Sequence, residues 1–160
     1  MLYREITPAD NAPLAALIRR SLKAHGLDIP GTVYFDENLD HLSDFYLGDP
    51  ATRAYIILDD GNGQVMGGIG LAAFPGLPGC AELQKLYLVD AAKGAGLGME
   101  MIRLVEDRAK DLGYRRMYLE THTNLAAAIH IYEKSGYARI EQPESVVHST
   151  MNRFYIKELI

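Results

Sequence analysis

The sequence predicts an α+β fold: a central mixed, mostly antiparallel sheet flanked by helices, in one domain over residues 1–160. Three observations carry this expectation. The apolar period switches several times between the helical value and the strand value of two. Two turn-rich stretches, residues 59–63 (Asp-Asp-Gly-Asn-Gly) and 75–79 (Pro-Gly-Leu-Pro-Gly), separate β-prone runs and so mark antiparallel connections. Glycines 26, 113 and 136 stand just past helical stripes, where a helix C-cap belongs.

Each element has its own warrant. Residues 2–6 read as a short strand. Thr7-Pro8-Ala9-Asp10 then opens a helix, with a capping Thr, Pro in the first turn and an early acid. Leu14, Ala15, Ile18 and Leu22 carry its apolar stripe as far as Gly26. Residues 27–38 are loop-like, and 40–46 suggest a second short helix. Residues 54–58 are apolar and β-prone, and 64–74 form the return strand of a hairpin. A further strand over 80–89 leads into a glycine-rich loop. From Gly96 the helical period returns through Leu97, Met101, Val105 and Ala109. Residues 116–121 are a strand, 124–135 a helix, and 137–140 and 151–159 two last strands. The order is β-α-α-β-β-β-α-β-α-β-β.

With 160 residues and 48% hydrophobic content, the chain can build a sizeable core. The formal net charge of -5, with no basic run, argues against sequence-independent nucleic-acid binding. A single cysteine, Cys80, forms no internal disulfide and fits a reducing compartment. No signal peptide and no apolar run long enough for a bilayer is visible, so the expected location is cytoplasmic. No Cys, His and carboxylate spacing suggests a metal site, and Cys80 has no activating neighbour that would make it a nucleophile.

Lys93-Gly94-Ala95-Gly96-Leu97-Gly98 lies between a strand and a helix. The first amides of a helix lack internal partners, and the helix dipole adds partial positive charge there. Glycines let a ligand approach the backbone closely, so this loop can cradle a pyrophosphate. The mononucleotide P-loop is excluded, because no Gly-Lys-Ser/Thr closes the loop. The dinucleotide fingerprint fails too: its third glycine would fall on Met99 or Met101.

The loop resembles that of the GNAT superfamily of N-acetyltransferases, Arg/Gln-x-x-Gly-x-Gly/Ala, except that Lys93 stands at its first position. The stretch from Asn124 through Ala128-Ile129 to Tyr132-Glu133-Lys134-Ser135-Gly136-Tyr137 is similar to that family's second signature. The order of elements is similar as well. The resemblance implies the GNAT acyl-coenzyme A N-acyltransferase fold and an acetyl-coenzyme A-dependent N-acetyltransferase. The implied acceptor is a primary amine of a small molecule or peptide, attacking directly in a ternary complex. Lysine at position 93 keeps the charge but loses the planar fork of arginine, which predicts weaker pyrophosphate binding.

By the same resemblance, Leu86, Tyr87 and Leu88 pair with the pantetheine arm, and the Leu88 amide holds the thioester oxygen. Lys93, Gly94, Ala95, Gly96, Leu97, Gly98 and Met99 hold the pyrophosphate, and Asn124 caps the next helix or touches the cofactor. Tyr132 protonates the departing thiolate, its alternative being a core tyrosine. Glu82 is the candidate general base. Strand alternation puts Glu82, Gln84, Leu86 and Leu88 on one face, provided no bulge intervenes. Glu120 and His122 are second choices. The acceptor pocket is expected from residues 29–46 and 142–150. Tyr34, Phe35 and Tyr46 would give it an aromatic wall or else pack under a loop, and His148 reads as a plain loop residue. Homodimers through the last strands are common in the family, and Phe154, Tyr155 and Ile156 suit either core or interface. Two rivals remain: a non-catalytic acyl-coenzyme A-binding sensor or partner module, and a nucleotide-binding domain.

Overall fold

The computed structural model of the chain describes residues 1–146 and 149–160. Seven strands form one sheet, ordered β1-β2-β3-β4-β5-β7-β6. They are β1 (Leu2–Glu5), β2 (Ala54–Asp59), β3 (Val65–Ala73), β4 (Cys80–Leu88), β5 (Arg116–Thr121), β6 (Ala138–Ile140) and β7 (Arg153–Glu158). Every pairing is antiparallel except β4 with β5. The connection of that single parallel pair runs through a helix, as a parallel crossover requires. The helices are α1 (Asn11–Ala24), α2 (Leu42–Leu47), α3 (Leu97–Asp111) and α4 (Ala126–Lys134). The expected order of elements is therefore found. Thr7 opens a 3-10 turn, Pro8–Asp10, and α1 begins only at Asn11. No helix among the described residues is long and apolar enough to cross a membrane.

Both faces of the sheet are covered, which is why β2 is buried along its whole length. Tyr55 and Ile57 pack with Leu14, Ile18, Leu22 and Tyr46 under α1 and α2. Ala54, Ile56 and Leu58 pack with Met101, Ile102 and Val105 under α3. Phe154 and Tyr155 are core residues, at 6% and 1% exposure.

Two irregularities in β4 shape everything that follows. The first is a bulge. Gly68 faces Tyr87, whereas Gly70 faces Gln84, so Lys85 and Leu86 together oppose Ile69. Lys85 takes φ 52°, the only non-glycine with positive φ among the described residues. A bulge moves every later side chain to the opposite face. The expected alternation is thereby overturned: Leu86 and Leu88 join Ala81 and Leu83 on the α3 face, while Tyr87 packs on the α1 face that Gln84 and Tyr46 share.

The second irregularity is a splay. β4 pairs with β5 only where Cys80, Ala81 and Glu82 stand opposite Arg116, Met117 and Tyr118. Beyond Glu82 the two strands part, and the β4 edge that faced β5 opens.

Candidate active site

The splay opens into a cavity of about 630 Å³, walled by β4, α1, α3, α4 and the loop after α1. Its upper end is the glycine loop. Gly94 and Gly96 take φ 84° and 77°, and a Cβ at either position would meet nothing within 4 Å. Glycine is needed there for backbone conformation and open approach, not for internal packing. The first helical-type bond in this region is from the Glu100 amide to the Gly96 carbonyl, 3.2 Å. Among the described residues, each backbone N–H from Gly94 to Met99 lacks a protein acceptor. These donors, at the N-terminus of a fifteen-residue helix, fit a pyrophosphate. The Lys93 ammonium lies at the loop entrance, 3.0 Å from the Asp90 carboxylate and half exposed.

Below the loop, the register of β3 and β4 orients the Leu88 amide. The Val89 amide donates to the Met66 carbonyl at 2.9 Å, which makes that pair hydrogen-bonded. The next pair, Leu88 with Gly67, is then of the other kind, and its N–H and C=O groups point away from β3. The Leu88 N–H thus faces the open edge. These features match the demands of an acyl-coenzyme A: a strand edge for the pantetheine amides and a donor cradle for the pyrophosphate.

Tyr132 stands on α4 in the cavity wall, 7% exposed. Its hydroxyl has no hydrogen-bond partner among the described residues. Burial raises its pKa well above the ordinary tyrosine value, so the phenol keeps its proton.

Glu82 lines the lower end. Burial raises its carboxyl pKa and the nearby Glu120 charge adds to this, while the Gln84 amide, donating at 2.8 Å, and Lys85 oppose them. The Tyr46 hydroxyl donates to Gln84 at 2.7 Å and so fixes the amide that holds Glu82. Glu120 is in the same wall and accepts from the Tyr118 hydroxyl at 2.9 Å.

Most of the expected residues therefore meet in one cavity: Glu82, Leu86, Tyr87, Leu88, Lys93, Gly94, Gly96, Leu97, Gly98, Met99, Glu120 and Tyr132. Others do not. The Ala95 side chain is exposed and outside the wall. Asn124 does not cap α4, which starts at Ala126 with Leu125 as its N-cap. The Asn124 side chain instead donates to the His25 carbonyl at 3.0 Å and ties α4 to the end of α1. His122 accepts from the Asn124 amide through Nδ1 and stays outside the cavity. Tyr34 and Phe35 stack edge-on against each other beside the pocket, with Phe35 58% exposed, and Tyr46 is buried beneath it. The expected aromatic wall is thus absent among the described residues. Val33 and Asp36 line the cavity from that loop instead. His148 lies outside the described residues. Burial pushes the Cys80 thiol up to about 11, which keeps it an unreactive thiol.

The structure adds residues that the sequence did not single out. Ser21 of α1 and His25 that caps its C-terminus, His130 and Lys134 of α4, Asp36 and Lys85 all line the cavity. Two of these pairs stand at i, i+4 and so share a helix face, a readable spacing once the glycine loop has been assigned.

The comparisons with known proteins agree with this geometry. The sequence profile of the acetyltransferase (GNAT) family matches residues 19–137. The uncharacterized N-acetyltransferase YjgM of Escherichia coli (strain K12) is 34% identical over 142 residues, covering 88% of this chain and 83% of that protein. A crystal structure of a GNAT-family acetyltransferase from Staphylococcus aureus Mu50 superimposes with a TM-score of 0.85 at 19% identity, covering 99% of both chains. YncA of Salmonella typhimurium, a putative acetyltransferase solved with its cofactor acetyl-CoA, superimposes with a TM-score of 0.75 at 20% identity, covering all of this chain and 94% of that one. The chain belongs to the acetyltransferase (GNAT) family and is an acetyl-coenzyme A-dependent acetyltransferase.

Proposed function

We propose that this protein transfers an acetyl group from acetyl-coenzyme A to a primary amine of a small molecule or peptide, by direct attack with no acetyl-enzyme stage. The observation that carries this reading is the splay. One continuous cavity joins a pyrophosphate cradle, a strand edge that β5 leaves open, a tyrosine hydroxyl with no hydrogen-bond partner among the described residues and a half-buried carboxylate. Acetyl-coenzyme A is a substrate here and supplies an activated thioester.

The residues then divide the work. The amides of residues 94–99 and Lys93 bind the diphosphate, and the β4 edge orients the pantetheine arm. Glu82, with its raised pKa, takes the proton that the amine must lose, directly or through a water. The Leu88 N–H donates to the thioester oxygen as negative charge grows on it. The C–N bond forms as the C–S bond breaks, and Tyr132 gives its proton to the departing thiolate. The proton on Glu82 passes to solvent, which restores the phenol.

Calorimetric titration with acetyl-coenzyme A, followed by thiol release across a panel of amines, tests the proposal. Binding with a Kd of micromolar order, about -8 kcal/mol, plus amine-dependent thiol release, is expected. Tight binding without release for any amine would leave an acyl-coenzyme A-binding module and sink the enzyme.

A further inference from the structure

Lys85 lines the cavity on β4, with Asp36 and Glu82 close enough to act on its charge and with Gln84 and Glu120 in the same wall. Its φ of 52° is a conformation that costs a residue with a Cβ. The Tyr55 hydroxyl holds it there by donating to the Lys85 carbonyl at 2.7 Å. The side chain is only 12% exposed, and its ammonium approaches one carboxylate, Asp36 Oδ2, at 3.8 Å. That distance is too long for a hydrogen bond. An ammonium carries three donors, and none of these has a hydrogen-bond partner among the described residues. Burial lowers the Lys85 pKa, against the pull of Asp36 and Glu82. A partly buried cation whose donors find no protein partner is poised to receive an anion from the cavity.

The same wall of the cavity carries the opposite chemistry. Glu82 and Glu120 offer carboxylates, which suit an amine or ammonium. A polyamine would meet those acids well but would bring a second ammonium against Lys85, a like-charge contact. An acceptor with an amine and a carboxylate satisfies both sides of the bulge. Building on the acetyltransferase reading, we infer that Lys85 binds the carboxylate of the acceptor, whose amine faces Glu82, and that the acceptor is a small amino acid. Asp36 then serves as the internal counter-ion that a substrate carboxylate displaces. Lys85 is a specificity residue in this scheme and takes no part in the proton transfers.

The test is kcat/KM for acetyl transfer to pairs of an L-amino acid and its carboxamide, with aliphatic diamines alongside. Wild type should prefer the free carboxylate about tenfold or more, as one charge-assisted contact allows. Lys85→Met should bring that ratio close to one, and Lys85→Arg should keep most of it. Asp36→Asn should widen it by lowering KM for the carboxylate partner alone, a change that damage to the fold would not produce. Equal turnover of carboxamides or diamines by wild type overturns the inference, as does an unchanged ratio in Lys85→Met or an unchanged amino-acid KM in Asp36→Asn. Thiol release with diamines alone overturns it while leaving the acetyltransferase standing. Acetyl-coenzyme A binding with no release for any amine overturns both.

Discussion

The Tyr55 hydroxyl donates a 2.7 Å hydrogen bond to the Lys85 carbonyl, linking β2 to the bulge of β4 across the intervening β3. The link needs space on β3, and Gly68 and Gly70 provide it. A Cβ at Gly68 would lie 2.3 Å from Tyr55 Cε1, and one at Gly70 2.6 Å from Tyr55 Cδ2. Three glycines in Gly67-Gly68-Ile69-Gly70 are thus explained by one ring and by the close approach of Tyr87 and Leu88 to Gly67. Tyr55→Phe should leave the Lys85 carbonyl without its donor and cost about 1 kcal/mol. Gly68→Ala should cost more, about 1–3 kcal/mol, because a fully buried ring has nowhere to go. Denaturant midpoints of the two variants measure both, and Gly68→Ala as stable as wild type would refute the packing account.

Glu82→Gln should separate function from stability. The raised pKa means that the folded protein disfavours the ionised carboxylate, burial being the main cause. Such a group contributes stability below its unfolded pKa and loses it as pH rises through the folded pKa. The variant has no charge to bury and can still accept from Gln84, so it should melt higher than wild type at neutral pH. The gain should vanish toward acid pH, where wild-type Glu82 is itself neutral. Turnover should fall about 10²-fold or more, the scale of a lost general base. The rise of kcat/KM with pH that Glu82 ionisation causes should go with it. Melting curves and rates over one pH series check both halves, and equal melting of the two proteins at neutral pH would contradict the burial argument.

The sequence made the sheet legible because both of its faces are apolar and its turns are written in glycine, proline and aspartate. The glycine loop was legible for a similar reason: only backbone chemistry is needed there. The bulge was harder. Leu83-Gln84-Lys85-Leu86 sets two polar residues side by side inside an alternating strand, and that break is the trace it leaves in the sequence. Without a partner strand, the break does not say which residues change face, so Leu86 and Leu88 were expected beside Glu82. Asn124 misled for a different reason. Asparagine is a good N-cap, but α4 starts two residues later and the side chain finds the free His25 carbonyl at the end of α1. The acceptor pocket was least legible, since it draws on the loop after α1, where Val33 and Asp36 face inward and Tyr34 and Phe35 do not. Which residues of a loop point inward depends on tertiary contacts. Here these include the Thr150 hydroxyl donating to the Pro30 carbonyl at 2.9 Å, which ties two loops remote in sequence.

Gly96→Ala and Gly113→Ala form a matched pair. Both glycines have positive φ, 77° and 94°, and neither has an atom within 4 Å of an added Cβ. Each substitution should therefore cost backbone strain alone, about 1 kcal/mol, or roughly 2–4 °C in Tm. Gly96 lines the cavity and Gly113 closes α3 at its far end. Only Gly96→Ala should also weaken acetyl-coenzyme A binding, by about tenfold, since its methyl group stands in the path of the diphosphate. Calorimetry on both proteins decides the point, and equal affinities would move the diphosphate away from this loop.

Tyr132→Phe removes one oxygen and little else. The ring packs in the core with Tyr137, centroids 6.2 Å apart, and the hydroxyl has no hydrogen-bond partner among the described residues. A phenylalanine keeps the packing and leaves no protein group unpaired, so stability should change by less than about 0.5 kcal/mol. Acetyl-coenzyme A affinity should hardly move, because the pyrophosphate and pantetheine contacts lie elsewhere. The chemical step is different: expelling a thiolate without a proton donor beside it is unfavourable, and the elevated pKa keeps the native phenol protonated and ready. The rate constant for acetyl transfer in a single turnover should fall about 10²-fold. Single-turnover measurement matters because slow product release would mask the loss in steady-state kcat. A wild-type single-turnover rate in Tyr132→Phe would make the residue a packing tyrosine and pass the thiolate's proton to water or to a second side chain on the cavity wall.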